Sequence, residues 1–202
     1  MPKTVILANG AFPKKGGEPW RLLESARRVI ACDGAANSFI RRFRRVPDFI
    51  IGDLDSLPSA LQLQLQTPTL IPITDQTTND LSKAIAYCRK RGWSDLVIVG
   101  ATGRREDHEL GNIFRAMEAG VAVVTDYGRF VSIAKTLRIR VRKGTAISVF
   151  ATDKRTKMSS NGLEWPLNAV KFANLYCATL NRASSVEVTI KSSHPAFVYI
   201  AK

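Results

Sequence analysis

Residues 49–57 read FIIGDLDSL: three apolar residues, a glycine, then Asp53 and Asp55 one residue apart. A run that is apolar at every position has no solvent-facing side. It therefore predicts a strand covered on both faces, as in a parallel sheet. In open sheets of that kind ligands lie beyond the carboxyl ends of the strands, which is where the two aspartates fall. The plain alternative is a strand followed by an ordinary acidic turn. In a chain with a formal net charge of +13, paired carboxylates at such an edge instead suggest a cation, or a ligand bridged by one.

The flanking sequence repeats the pattern. TVILAN (4–9), RVIACD (28–33), DFIIGD (48–53), LIPI (70–73), DLVIVGA (95–101) and VAVVTD (121–126) read as strands. Helices are expected between them at 34–45, 58–66, 80–92 and 108–119. In the third, Leu81, Ile85 and Cys88 share one apolar face at i, i+4 and i+7. Strand–helix alternation predicts a doubly wound α/β domain with a mostly parallel sheet. From residue 127 the period changes to two: RFVSIA, LRIRVR, TAISVFA, VKFANLYC, SVEVTI and AFVYIAK follow one another, separated by RKG, SSNG and SSHP. These predict a small all-β sandwich. The expected domains are 1–126, α/β, and 127–202, all-β.

Composition bounds the function. Hydrophobic residues are 45% and charged residues 23% of the 202, as in an ordinary globular protein. The longest apolar runs are too short to span a bilayer, and MPKTVILANG lacks a signal-peptide succession. Cys32, Cys88 and Cys177 are far apart, with no CxxC pair. That suits a reducing compartment rather than a disulfide framework or a zinc site, so a cytoplasmic location without membrane association is expected. The basic excess gathers in RRFRR (41–45), CRKRGW (88–93) and LRIRVRKG (137–144). A basic surface attracts polyanions, yet Leu137, Ile139 and Val141 alternating with Arg138, Arg140 and Arg142 read first as a half-buried strand.

The polar residues fall at strand ends with some regularity. Asn9–Gly10 follows the first strand, Asp33–Gly34 the second, Asp53-x-Asp55 the third, and Gly100–Gly103 a later one, while Asp80 opens a helix after TDQTTN. Four carboxylates at one edge repel each other unless a divalent cation neutralises them. Mg²⁺ suits such oxygen donors. Each has a simpler reading: Asp33 caps the following helix, and Asp80 is a first-turn acid favoured by the helix dipole. GATGRREDHELGN (100–112) joins a glycine-bearing loop and two arginines to a helix start near Asp107 or His108, a set that suits phosphate. His108 reads as a general base or, more commonly for that position, a packing residue. With no GxSxG motif and no Cys–His pair, phosphoryl or pyrophosphoryl transfer fits better than acyl transfer.

Together CDGAAN (32–37), IGDLDS (51–56), DQTTNDLSKAI (75–85), GATGRREDHELGNI (100–113) and GLEWPL (162–167) resemble the thiamine pyrophosphokinase family, in the family's order and over nearly the whole chain. The resemblance implies a nucleotide- and metal-binding α/β catalytic domain followed by a thiamine-binding β-sandwich. It implies Mg²⁺-dependent transfer of pyrophosphate from ATP to the thiamine hydroxyl, giving thiamine diphosphate and AMP. Asp33, Asp53, Asp55 and Asp80 match the acidic, metal-associated cluster, and Asp80 or Asp55 is placed to take the hydroxyl proton. Asn9, Gly34, Lys83, Thr102, Gly103, Arg105, Asp107, His108 and Asn112 match the nucleotide side. Gln76, Trp165 and Asn181 match the substrate side, with Trp165 an aromatic wall against cationic thiamine or, on the other reading, a core residue of the sandwich. The family's homodimers, with thiamine between subunits, imply a homodimer here.

Two positions depart from the family pattern. Arg104 stands where the family has a second glycine, and Leu180 precedes Asn181 where the family commonly has serine. Loss of a hydroxyl from a polar site changes which alcohol is accepted. A related ATP-dependent kinase or pyrophosphokinase acting on another alcohol is therefore the alternative. A basic nucleic-acid-binding protein ranks well behind it, because it leaves the acidic cluster unexplained; a nucleic-acid partner is not expected.

Overall fold

The runs at 4–7, 28–32, 49–52 and 96–99 form the centre of a parallel sheet because, beyond Thr4 and Arg28 at their starts, both faces of each are apolar. The structure is a computed structural model that describes residues 4–55, 69–75 and 77–202; the helix expected at 58–66 and the site residue Gln76 lie outside these. Its strands are β1 (Thr4–Leu7), β2 (Arg28–Cys32), β3 (Phe49–Gly52), β4 (Leu70–Pro72), β5 (Leu96–Val99) and β6 (Ala122–Val124). They lie in the order β6-β5-β1-β2-β3-β4. Pairs β1/β2, β1/β5, β2/β3 and β3/β4 are parallel. Val5, Ile6, Val29, Ile30, Ile50, Ile51, Ile98 and Val99 are buried. The chain steps outward from β1 through β4, then returns to the other side of β1 with β5. That reversal opens a crevice beyond the carboxyl ends of β1 and β5.

Four helices are described: α1 (Glu18–Ser25), α2 (Ala35–Phe43), α3 (Asp80–Lys90) and α4 (Glu106–Ala119). Helix α3 buries Leu81, Ile85 and Cys88, the stripe expected from their spacing, and packs on β1, β2 and β3. Helix α1 escapes a reading by period because two turns bury only Pro19 and Leu23. Phe43 stacks on Trp20 and Phe39 at centroid distances of 4.6 and 4.8 Å, so its basic neighbours point outward while the ring packs inward.

The chain divides into two compact units, 1–119 with 123–126, and 120–122 with 127–202. The second contains β7 (Gly128–Ile133), β8 (Thr136–Arg140), β9 (Ala146–Phe150), β10 (Met158–Asn161), β11 (Ala178–Arg182), β12 (Glu187–Ser192) and β13 (Ala196–Ala201). Antiparallel strands β11-β9-β13-β7 and β10-β12-β8 form its two sheets. Ile133, Ile147, Val149, Phe172, Val188, Ile190 and Val198 fill the core between them. One expected strand is corrected. VKFANLYC (170–177) is turn and bend, with Phe172 alone fully buried, and the strand begins only at Ala178. Its apolar residues plug the core from a loop. Strand β10 is the converse: polar apart from Met158, it exists because β12 offers it a ladder.

Candidate functional site

The ends of β2 and β3 bring the carboxylates together. Asp33 follows β2 at a φ of 35°, and Leu54, between Asp53 and Asp55, has a φ of 67°. Left-handed backbone is uncommon for residues other than glycine, and strain of this kind gathers at functional sites. It turns Asp33, Asp53 and Asp55 toward one another, so that each offers an oxygen within 4.8 Å of the others. Asp33 is not the N-cap residue of α2. The N-cap is Gly34, with no side-chain hydrogen bond, and Asp33 itself is 4% exposed. Three hard oxygen donors at this separation suit Mg²⁺ better than a softer metal.

Asp80 joins them from α3. Asn79 caps that helix, its side chain accepting from the Ser82 N–H at 2.9 Å, so Asp80 is released from capping. One turn on, the Lys83 Nζ meets Asp80 Oδ1 at 3.1 Å, with the lysine side chain 5% exposed. Gly52 makes room for this meeting. A Cβ there would lie 2.8 Å from Asp33 Cβ and 3.3 Å from Asp80 Cγ. Cys32, just below, is fully buried. Burial first, then the nearby Asp80, pushes its thiol far above its ordinary range, so it is an inert wall and no nucleophile.

The other side of the crevice is two loops in backbone contact. Gly10 N–H donates to Gly100 O and Ala11 N–H to Thr102 O, both at 2.7 Å. A Cβ at Gly10 would strike the carbonyl oxygens of Gly100 and Thr102, which is why glycine stands there. Arg104 Nη1 donates to Asn9 O at 3.3 Å and to Asn9 Oδ1 at 3.1 Å. Asn112 Nδ2 donates to Ala101 O at 3.1 Å and its Oδ1 accepts from Asn79 at 3.3 Å, tying α3 to α4. Gly103 N–H donates to Glu109 Oε2 at 3.0 Å.

These residues enclose a cavity of about 450 Å³ in the first unit. Asn9, Asp33, Asp53, Asp55, Asp80, Lys83, Thr102, Arg105, His108 and Asn112 line it, whereas Gly34, Gly103 and Asp107 do not. Arg104, Asn79 and Glu109 line it too. The latter two escape the sequence reading because a cap and a first-turn acid look purely structural. Asp107 instead pairs with Arg105 at 2.7 Å on the surface. The Arg105 side-chain hydrogen bond holds the Asp107 carboxyl down at about 2. The carboxyl is depressed, so the pair is complete above the ordinary carboxylate range and is lost as pH falls through about 2. The Asp107 carboxyl carbon signal should titrate near that value, and nearer the ordinary range in Arg105→Gln; a midpoint unmoved by the substitution refutes the pairing.

The second unit holds a separate, apolar cavity of about 400 Å³, lined by Trp165, Leu167, Val170, Cys177, Ala178, Thr179, Leu180 and Asn181. Trp165 is 53% and Leu180 83% exposed, so Trp165 is a wall of this cavity and not a core residue. Leu180 sits at a φ of 63°, where the β11/β9 register shifts between Ala178 and Asn181. Asn181 is buried and clamps the Trp165 backbone. Its Nδ2 donates to Trp165 O at 2.6 Å, and its Oδ1 accepts from the N–H groups of Trp165 at 3.2 Å and Arg182 at 2.8 Å. Asn181→Ala should cost about 2 kcal/mol, since it strands buried backbone groups. A denaturation midpoint equal to wild type would show that the clamp carries no weight.

The comparisons with known proteins agree across both units. The model of the thiamin pyrophosphokinase catalytic domain matches residues 19–124 and that of the thiamin pyrophosphokinase substrate-binding domain residues 128–199. Thiamine pyrophosphokinase 1 of Arabidopsis thaliana is 24% identical over 222 residues, covering 93% of this chain and 82% of that protein. Thiamine pyrophosphokinase 3 of Oryza sativa subsp. japonica is 33% identical over 117 residues, covering 46% of this chain and 43% of its own. Among solved structures, a thiamin pyrophosphokinase family protein from Enterococcus faecalis superposes with a TM-score of 0.80 at 15% identity, covering 99% of both chains. Yeast thiamin pyrophosphokinase does so with 0.73 at 16%, covering 98% of this chain and 85% of that one. With a catalytic-domain model over half its length and a substrate-binding model over most of the rest, the chain belongs to the thiamine pyrophosphokinase family.

Proposed function

We propose that this protein transfers the pyrophosphoryl group of ATP to the hydroxyethyl oxygen of thiamine, releasing AMP. The observation that carries the reading is the convergence of Asp33, Asp53 and Asp55 oxygens within 4.8 Å, in one cavity with Asp80, Lys83, Arg104 and Arg105. Such a cavity holds carboxylates and basic side chains together. That is what a metal-bound polyphosphate requires, because the transfer needs positioning and charge neutralisation more than a nucleophilic side chain.

In this reading Asp33, Asp53, Asp55 and Asp80 hold Mg²⁺, which when bound neutralises the polyphosphate and orients its oxygens. Lys83, 3.1 Å from Asp80 Oδ1, holds that carboxylate in position. Arg104 and Arg105, with Thr102, bind phosphate oxygens, and Asp55 or Asp80 accepts the hydroxyl proton as the new P–O bond forms and the bond to the AMP oxygen breaks. Residues 1–126 are the catalytic domain. Residues 127–202 receive thiamine, with Trp165 facing its cationic ring; Gln76 is the other substrate-side residue that the family resemblance implies. A cytoplasmic homodimer, with the site near the subunit interface, completes the proposal. Light scattering should return twice the 22.3 kDa chain mass.

The test is to follow AMP, ADP and thiamine diphosphate from Mg·ATP and thiamine. Equal amounts of AMP and thiamine diphosphate, abolished by EDTA, support the reading. ADP in place of AMP would sink pyrophosphoryl transfer. Nucleotide bound with no thiamine-dependent turnover would favour the second reading, another alcohol acceptor, for which the observation is the exposed Leu180 at the mouth of the apolar cavity. Among the described residues no helix is long and apolar enough to cross a membrane.

A further inference from the structure

Charge is divided unequally along the chain. Residues 127–202 carry 13 Lys and Arg against 3 Asp and Glu, so +10 of the net +13 belongs to this stretch. The site in the first unit does not account for it. Four of the 13 cations gather on the outer face of the three-stranded sheet β10-β12-β8.

Strand β8 turns Leu137 and Ile139 toward the core and exposes Thr136, Arg138 and Arg140; Arg142 continues the outward series. On β12, Glu187 and Lys191 are exposed and Thr189 is half-buried, while Val188 and Ile190 point inward. The register sets Lys191 opposite Thr136, Thr189 opposite Arg138, and Glu187 opposite Arg140. On the far strand Ser159 pairs with Lys191 and Asn161 with Thr189. The face thus presents Arg138, Arg140, Arg142 and Lys191 with a single acid. That acid reaches Arg140 only at 3.9 Å, between side chains 83% and 73% exposed, a pair worth little in water. Among the described residues the other three have no carboxylate within ion-pair distance.

The alternation accounts for the apolar half of β8 but not for arginine at 138 and 140, where threonine, as at 136, would serve the strand as well. We propose that this sheet face binds the phosphate backbone of nucleic acid without regard to sequence. Successive arginines two residues apart lie about 6.8 Å from one another along the strand. That spans two base steps of a duplex, whose strands each carry a phosphate every 3.4 Å or so. Three of the four cations are guanidinium groups, which meet phosphate oxygens in pairs. Thr136, Thr189, Ser159 and Asn161 between them are neutral donors of the kind that contact phosphate and sugar. The face has no aromatic side chain on which a base would stack, so it has no means of reading bases. Nor has it a large apolar side chain to insert into a lipid interface, which sets the polynucleotide ahead of an anionic membrane.

The test is fluorescence anisotropy of a labelled mixed-sequence DNA duplex of about 20 base pairs between about 50 and 200 mM salt. A Kd of order 10⁻⁶–10⁻⁴ M is expected, with log K falling against log salt at a slope of about −3 for the three unpaired cations. A second, unrelated sequence should bind equally. The triple variant Arg138→Gln, Arg140→Gln, Arg142→Gln should bind at least about tenfold more weakly, with the slope more than halved. Its melting temperature should be unchanged, because all three side chains point to water. Wild-type protein that does not bind the duplex, a triple variant that binds as wild type does, or equal binding to phosphatidylserine vesicles would each overturn the proposal. The last outcome would assign the face to a membrane surface instead.

Discussion

Asp53→Asn is expected to lower the rate of AMP formation at least about a thousandfold and to leave the folded protein as stable as wild type, or more so. Asparagine keeps the shape of the side chain but removes one of three carboxylates whose oxygens lie within 4.8 Å of one another. Like charges this close disfavour one another, so the metal-free protein gains by losing one. The bound metal and polyphosphate lose a ligand charge in the transition state; a thousandfold corresponds to about 4 kcal/mol. The two effects separate in a thermal melt with and without Mg²⁺. Wild type should melt higher with the ion, as any protein does with a ligand of its native state, and Asp53→Asn should respond little. Retained turnover, or an undiminished response to Mg²⁺, would remove Asp53 from the metal site.

Asp80→Asn is expected to cost both activity and stability, and the difference from Asp53 is physical. Asp80 answers Lys83, whose side chain is 5% exposed, at 3.1 Å. Asparagine there leaves a buried ammonium without its counter-charge. Breaking a fully buried pair in this way costs about 3–5 kcal/mol. Because the Asp80 side chain is 32% exposed, about 2 kcal/mol is the expected loss, read from the denaturation midpoint. The rate should fall by at least about a hundredfold. Adding Lys83→Met to Asp80→Asn should restore most of the stability and none of the activity. If Asp80→Asn alone melts like wild type, Lys83 is held by something other than this carboxylate.

Much of the fold was legible because its signals are local. FIIG and its counterparts at β1, β2 and β5 are apolar on both faces beyond Thr4 and Arg28, which favours a strand covered on both sides. Leu81, Ile85 and Cys88 sit at helical spacing and are buried as expected. Where burial and period part company the reading failed. VKFANLYC carries Phe172 into the core on a loop, and MSSN forms β10 by pairing alone.

The same division holds at the site. The sequence by itself determined that carboxylates stand at the ends of three elements, that Lys83 shares a helix face with Asp80, and that a glycine-bearing basic loop follows β5. Spacing along one element suffices for each. Only the tertiary structure decided that Asp33, Asp53 and Asp55 converge, that Asp107 turns away to Arg105 while Arg104 reaches Asn9, and that Asn181 is spent on the backbone of Trp165. Apart from the local Asp107–Arg105 pair, these are contacts between residues distant in sequence or depend on left-handed backbone at Asp33 and Leu54, which no periodicity encodes. The long-range contacts arise because parallel strands laid side by side bring together strand ends that the sequence keeps apart.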